Sequence, residues 1–327
     1  MKKYFYLLLL VSVFAMTVAL LKWIIPKLRS IAKQPIYEDG PSWHMKKQGT
    51  PTMGGVGFII PICAVLFILS AILITIGDKI TSTSLLLSVF FFIANAIIGM
   101  ADDITKLRRA SNGGLTPKQK LALQFVVSIG FLFARNILFN DDTVVYFNSY
   151  SINLGIMYYP LAILFILGII NCANLTDGID GLASSVALSI ALSTFLISFD
   201  RREDAWIISI ITAGAMLGFL VFNINPAKVF MGDTGSLFLG AIAAYLAFSM
   251  KSLPGFILIC GVYVIEGVSV ILQVLYFKIK RKRLFRMAPL HHHFEKIGFD
   301  ENKICILAML LTFALALFAY PIIGVNV

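Results

Sequence analysis

The sequence predicts an all-α fold, a polytopic membrane bundle of about ten transmembrane helices, and three observations carry that prediction. Hydrophobic residues make up 59% of the 327-residue chain and charged residues only 13%, with a mean hydropathy of +0.89. A water-facing surface needs far more charge than this to stay dispersed. Apolar runs close to the length of about 20 residues that spans a bilayer recur along the chain. Lysine and arginine gather in alternate connections between those runs, as they do in loops retained on one side of a membrane.

The first run, Tyr4–Ile25, follows Met1-Lys2-Lys3 and resembles a signal peptide, but it is long enough to span and is read as a retained helix. The others run near Val56–Ile76, Ser84–Met100, Lys118–Phe139, Gly155–Ile170, Leu182–Phe199, Ala205–Phe222, Leu237–Met250, Phe256–Phe277 and Ile304–Ile323. The fifth and eighth are short. No repeat or low-complexity tract separates them, so residues 1–327 are read as a single integral membrane domain. Cys63, Cys172, Cys260 and Cys305 form no CxxC pair and are read as small core hydrophobes.

Orientation follows from the loops. The first connection carries Lys27, Arg29, Lys33, Lys46 and Lys47, the third Lys106, Arg108 and Arg109, and the ninth Lys278, Lys280, Arg281, Lys282, Arg283, Arg286 and Lys296. The even connections hold only Lys79, Arg201, Arg202 and Lys251. Odd connections are therefore expected in the cytoplasm and both termini outside, against which Lys2 and Lys3 weigh little. The net charge of +10 is dispersed in such clusters, which suits an anionic leaflet and phosphate ligands better than nucleic acid. In the outward loop Asp141–Leu154, Val144-Val145-Tyr146-Phe147 followed by Asn148-Ser149 suggests a small structural hairpin.

Five polar segments all fall on the expected cytoplasmic side: Glu38–Gly55, Ala101–Lys120, Asn171–Gly181, Phe222–Ser236 and Met287–Glu295. Scattered loop charges would divide between the two faces. Asp102-Asp103-Ile104-Thr105-Lys106 follows an apolar run directly, so on a continuing helix Asp102 and Lys106 share a face. Two adjacent carboxylates suit Mg²⁺ and a lysine beside them suits phosphate; helix-end charge with a local ion pair is the plainer alternative. In Asn171–Gly181, Asn174, Asp177 and Asp180 recur every three residues, and a helical turn would align them. Gly178 and Gly181 there allow close approach to the backbone. Two acids with no base in a cytoplasmic loop run against the positive-inside trend, which favours a functional role over a tight turn with aspartate caps.

Gly232-Asp233-Thr234-Gly235-Ser236 opens an apolar helix and offers free backbone N–H groups at its positive end. Asp233 alone reads as an N-cap, but beside two other acidic loops it becomes a candidate magnesium ligand. His291, His292 and His293 cannot all turn inward from one short segment. Hydrogen bonding to phosphate, with a structural role for at least one, is preferred over a transition-metal site. His44–Gly55, with two threonines, paired glycines and lysines, suits anion contact or a flexible entry into a helix. Glu266, midway along the ninth run, is a candidate by its depth alone, although a polar partner such as Gln273 would serve it equally.

Together these segments resemble the bacterial phospho-N-acetylmuramoyl-pentapeptide transferase family, within the polyprenyl-phosphate N-acetylhexosamine-1-phosphate transferases. The resemblance rests on Glu38-Asp39-Gly40-Pro41, on His44 and Lys47 with Gly49-Thr50-Pro51-Thr52-Met53-Gly54-Gly55, and on Asp102-Asp103-Ile104-Thr105-Lys106. It continues through Asn174–Gly181, Phe230–Ser236 and Met287–Glu295. Tyr37 departs from the arginine many members carry before Glu-Asp-Gly-Pro. The resemblance implies transfer of phospho-N-acetylmuramoyl-pentapeptide from UDP-N-acetylmuramoyl-pentapeptide to undecaprenyl phosphate, giving lipid I and UMP. It also implies Mg²⁺ dependence, a homodimer, membrane lipid as the surrounding partner, and a multi-pass place in the bacterial inner membrane. Residues and resemblance together assign catalysis to Asp102, Asp103, Asp233 and His291, with Asp233 as metal ligand and Asp102 or Asp103 as candidate base. Substrate contact falls to Lys47, Thr52, Lys106, Lys120, Asn174, Asp177, Asp180, Asn223, Phe230, His292 and His293. The rivals are a related transferase using UDP-N-acetylglucosamine and a transporter. A transporter would place its acids at the bilayer midplane in repeated halves.

Overall fold

The computed structural model describes residues 2–31, 47, 49–109, 113–148, 150–199 and 203–323. Among these are twelve α-helices and one short hairpin. In chain order the helices are α1 (Lys2–Ile31), α2 (Val56–Thr75), α3 (Lys79–Arg109), α4 (Pro117–Phe139), α5 (Tyr158–Thr176), α6 (Leu182–Ser198), α7 (Glu203–Asn223), α8 (Gly232–Ser249), α9 (Leu253–Ile259), α10 (Gly261–Lys280), α11 (Leu290–Lys296) and α12 (Glu301–Ile323). Eight of them (α1 to α5, α7, α10 and α12) are long and apolar enough to cross a membrane. The protein is therefore an all-α, multi-pass membrane protein.

The remaining two expected spans are α6, at 17 residues, and α8, at 18 residues. Both are less suited to lipid because neither has to meet it. Nearly every residue of α6 and α8 is buried, including Ser184, Ser189 and Thr194 of α6 and Thr234 and Ser236 of α8. With α7, whose apolar window is 89% buried against 28% for α1, they form the interior of the bundle. The other helices ring them and present apolar side chains outward, as lipid requires. Small residues let the interior helices close on their neighbours. A Cβ at Gly240 of α8 would lie 2.6 Å from the Cα of Ile170 on α5.

Helix ends depart from the apolar runs in a consistent way. α3 continues nine residues beyond the expected end at Met100, α5 runs on to Thr176, and α8 begins five residues before Leu237. Each extension carries polar side chains of the site (Asp102, Asp103 and Lys106 on α3, Asn174 on α5, Asp233 on α8), so its hydropathy signal is weak. The expected ninth span is two helices. The backbone bends at Cys260 (φ −83°, ψ 14°), although the hydrogen-bond ladder continues through Cys260 N–H to Phe256 O (2.8 Å) and Val264 N–H to Cys260 O (3.0 Å). α10 buries side chains only as far as Ser269; beyond that Ile271, Leu272, Val274, Leu275 and Phe277 are exposed.

The hairpin appears where the alternation placed it, β1 (Val144–Phe147) pairing antiparallel with β2 (Tyr150–Asn153). Arg135, buried against Asp141 at 2.5 Å, ties its entry to α4. The described parts of the five polar segments meet at the opposite end of the bundle.

Candidate active site

α3 and α8 pack side by side, and their meeting point builds the site. The last turns of α3 carry Asp102, Asp103 and Lys106 inward, and the Asp102–Lys106 pair forms at 2.7 Å as the i, i+4 spacing requires. Asp103 caps α8 from across the interface. Its Oδ1 accepts from Asp233 N–H (3.1 Å), and its Oδ2 from Thr234 N–H (2.9 Å) and the Thr234 hydroxyl (2.6 Å). The free amides expected at the Gly-Asp-Thr-Gly-Ser turn are thus already held by a carboxylate. Gly232 enters that turn at φ +71°, and a Cβ there would lie 2.5 Å from Asp103 Oδ2 and 2.9 Å from Thr52 Oγ1. Only glycine meets both demands.

Asp233 then faces three partners. Its Oδ2 accepts from Lys120 of α4 (2.6 Å) and lies 3.2 Å from the Lys106 ammonium. Asn174 of α5 donates to its Oδ1 at 3.0 Å, while the Asn174 carbonyl oxygen accepts from Lys120, also at 3.0 Å. The Thr116–Gln119 capping box sets the start of α4, and so the position of Lys120 one turn in. Ligand oxygens of Asp102, Asp103 and Asp233 all lie within 4.8 Å of one another, a spacing at which one ion could bridge them.

A second cluster adjoins the first. Lys47 pairs with Asp180 (2.8 Å) and with Glu301 of α12 (2.7 Å). Asp180 also accepts from Asn225 Nδ2 (3.0 Å) and Ala227 N–H (2.9 Å). Asn174, Asp177 and Asp180 do not align on one helical turn, because α5 ends at Thr176 and the chain turns away. Asp177 instead lies between the clusters. Burial pushes its carboxyl up to about 8, and the charges of Asp233, Asp103 and Asp180 push the same way. Three lysines here face six acids (Asp102, Asp103, Asp177, Asp180, Asp233 and Glu301), and the charge of three of those acids adds to burial in raising the Asp177 carboxyl.

The histidines separate as neighbours on a helix must, about 100° apart. α11 buries His291 completely, with Nδ1 3.1 Å from Glu266 Oε2. Glu266 is thus partnered by His291; Gln273 instead accepts from Phe285 N–H at 2.8 Å. His291 Nε2 has no hydrogen-bond partner among the described residues and packs on Gly178, where a Cβ would collide with it. His292 pairs with Glu295 at 2.6 Å, and His293 Nδ1 accepts from Arg286 N–H at 3.1 Å.

The remaining candidates shape the walls. Phe230 N–H bonds Pro51 O and Gly54 N–H bonds Phe230 O, both at 2.8 Å, which stitches the Thr52 segment to the turn before α8. Asn223 is spent internally, accepting from Ser184 (2.8 Å) and donating to Val229 O (3.0 Å). Glu38–Pro41 and His44 lie outside the described residues. The residue missed by sequence is Glu301, which reads there as an ordinary acid opening a helix; its one hint is its place on the same side as the other acids.

Known proteins resemble this chain along nearly its whole length. Residues 82–251 match the model of glycosyl transferase family 4, and residues 47–59 match phospho-N-acetylmuramoyl-pentapeptide-transferase signature 1. A protein named phospho-N-acetylmuramoyl-pentapeptide-transferase from Clostridium botulinum is 41% identical over 310 residues, 94% of this chain and 93% of its own. One of the same name from Halalkalibacterium halodurans is 42% identical over 304 residues, 92% of each chain. Another, from Caldicellulosiruptor bescii, is 39% identical over 295 residues, 90% of this chain and 89% of its own.

Proposed function

The chain belongs to the phospho-N-acetylmuramoyl-pentapeptide-transferase family, and we propose that its chemistry runs in the cluster of acids and lysines between α3 and α8. The enzyme transfers phospho-N-acetylmuramoyl-pentapeptide from UDP-N-acetylmuramoyl-pentapeptide to undecaprenyl phosphate, giving lipid I and UMP. One observation carries the site assignment: Asp102, Asp103 and Asp233 converge with Lys106 and Lys120 at one end of a membrane bundle. A lipid phosphate reaches a protein at that level, and a nucleotide sugar reaches it from water.

The acceptor phosphate attacks the sugar-linked phosphorus, a new P–O–P bridge forms, and the bridge to UMP breaks. A phosphate monoester has a second pKa of about 6, so the nucleophile is already largely ionised at neutral pH. A strong base is unnecessary, which fits Asp102 and Asp103, whose oxygens are occupied by Lys106, the Leu115 amide and the start of α8. Catalysis then rests on position and charge. Lys106 and Lys120 neutralise phosphate oxygens, Lys47 holds the diphosphate, and Asn174, Asp177 and Asp180 line the donor side. His291 anchors α11 against Glu266, leaving His292 and His293 at the rim beside the donor.

The carboxylate trio suits a hard divalent cation, and the excess of acids over lysines calls for one when a diphosphate enters. Asp233, flanked by Asp102 and Asp103, would hold Mg²⁺, which supplies neutralisation of the developing charge when bound. The basic residues of the odd connections support a cytoplasmic site in a bacterial inner membrane. A homodimer is part of the same reading and rests on the family resemblance.

Purified enzyme with undecaprenyl phosphate and Mg²⁺ is expected to release UMP from UDP-N-acetylmuramoyl-pentapeptide and not from UDP-N-acetylglucosamine. Release from the second sugar alone would move the substrate assignment to the related transferases.

A further inference from the structure

Each lysine of the site is held by two protein groups. Lys106 lies between Asp102 and Asp233, and Lys120 between Asn174 and Asp233. For Lys47 the first acceptor is Asp180 at 2.8 Å. The second is Glu301, both of whose carboxylate oxygens lie 2.7 Å from the ammonium. Every other acceptor in this pattern comes from the polar segments that mark the site in the sequence. Glu301 comes from the first turn of α12 and makes one contact more: its Oε2 accepts the backbone N–H of Asp180 at 2.8 Å.

One carboxylate therefore fixes a substrate-facing cation and the loop opposite it together. An ammonium has three donors and no acceptor; one N–H shared between the two Glu301 oxygens and one given to Asp180 leave the third for an arriving anion and set its direction. Asp180 cannot fix Lys47 alone. A single contact leaves the ammonium free to swing, and the other Asp180 oxygen is taken by Asn225 and Ala227. Without Glu301 the Asp180 amide, in a residue only 3% exposed, would also lose its acceptor.

We propose that Glu301 is a positioning residue for capture of the nucleotide sugar, holding Lys47 and the Asp180 backbone in the geometry that receives the donor diphosphate. The assignment rests on the transferase reading of the site.

The test is steady-state transfer by the full-length enzyme, with the nucleotide sugar and undecaprenyl phosphate varied separately. Glu301→Ala is expected to raise KM for the nucleotide sugar about tenfold, the scale of one lost charge-assisted hydrogen bond. The kcat is expected to stay within about threefold and KM for the lipid phosphate to stay unchanged. Glu301→Gln keeps an oxygen that accepts from Lys47 and from Asp180 N–H, and is expected to recover most of the loss. A fall in kcat with both KM values unmoved, a fall in KM for the sugar, or a glutamine variant no better than alanine would overturn the proposal. Should Glu301→Ala fail to fold, Glu301→Asp replaces it: one methylene short, it is expected to raise KM for the sugar above that of Glu301→Gln, and equal values overturn the assignment. Wild-type enzyme that releases no UMP would instead bring down the transferase reading itself.

Discussion

Asp233 sits where the charges of the site converge, with Lys106 and Lys120 on one oxygen and Asn174 on the other. Asp233→Asn keeps the size and an oxygen that still accepts from the lysines, but a neutral amide cannot balance a divalent cation. Transfer is expected to fall by about a hundredfold or more, with yield and thermal stability near wild type. Near-normal turnover at ordinary Mg²⁺ would remove Asp233 from the site. Much at this scale is legible before folding. The Asp102–Lys106 pair follows from helical spacing, and Asp233 stands out beside a glycine turn. Contacts that join distant segments are not legible. Glu266 pairs with His291, 25 positions away along the chain, and Glu301 reaches Lys47 across 254. No local pattern encodes either, and Gln273 was the nearer partner only along the chain.

Between elements, the α3–α8 junction decides how the site is built. Asp103 supplies acceptors for two amides and a hydroxyl at the start of α8, the work of an N-cap performed by another helix. Asp103→Ala orphans all three donors at a buried junction, at roughly 1–3 kcal/mol for each group left unsatisfied. The variant is expected to lose thermal stability as well as transfer, unlike Asp233→Asn. Denaturation followed in detergent checks the difference; an Asp103→Ala protein as stable as wild type would show that α8 does not depend on this cap. Helices as such were readable from apolar runs, because lipid-facing surface must be apolar. Their ends were not, since the turns that extend α3, α5 and α8 carry polar side chains into the site and break the apolar run. The bend at Cys260 also leaves no mark, as its flanks are apolar on both sides.

At the scale of the whole molecule, the alternation of basic loops assigns five polar segments to one side, and the bundle brings together every described part of them. That these segments share one end was legible because the charge distribution groups them; the site's depth and wiring came only from packing. The reaction breaks one diphosphate bridge and forms another, so little free energy separates its two sides, and an enzyme speeds both directions alike. The most direct measurement is isotope exchange: lipid I and labelled UMP, both saturating, incubated with wild-type enzyme and with Asp233→Asn. Label is expected in UDP-N-acetylmuramoyl-pentapeptide with the wild type, dependent on Mg²⁺, and none with the variant. Release of free phosphosugar without exchange, or no chemistry from an enzyme active in the forward direction, would contradict the transferase reading.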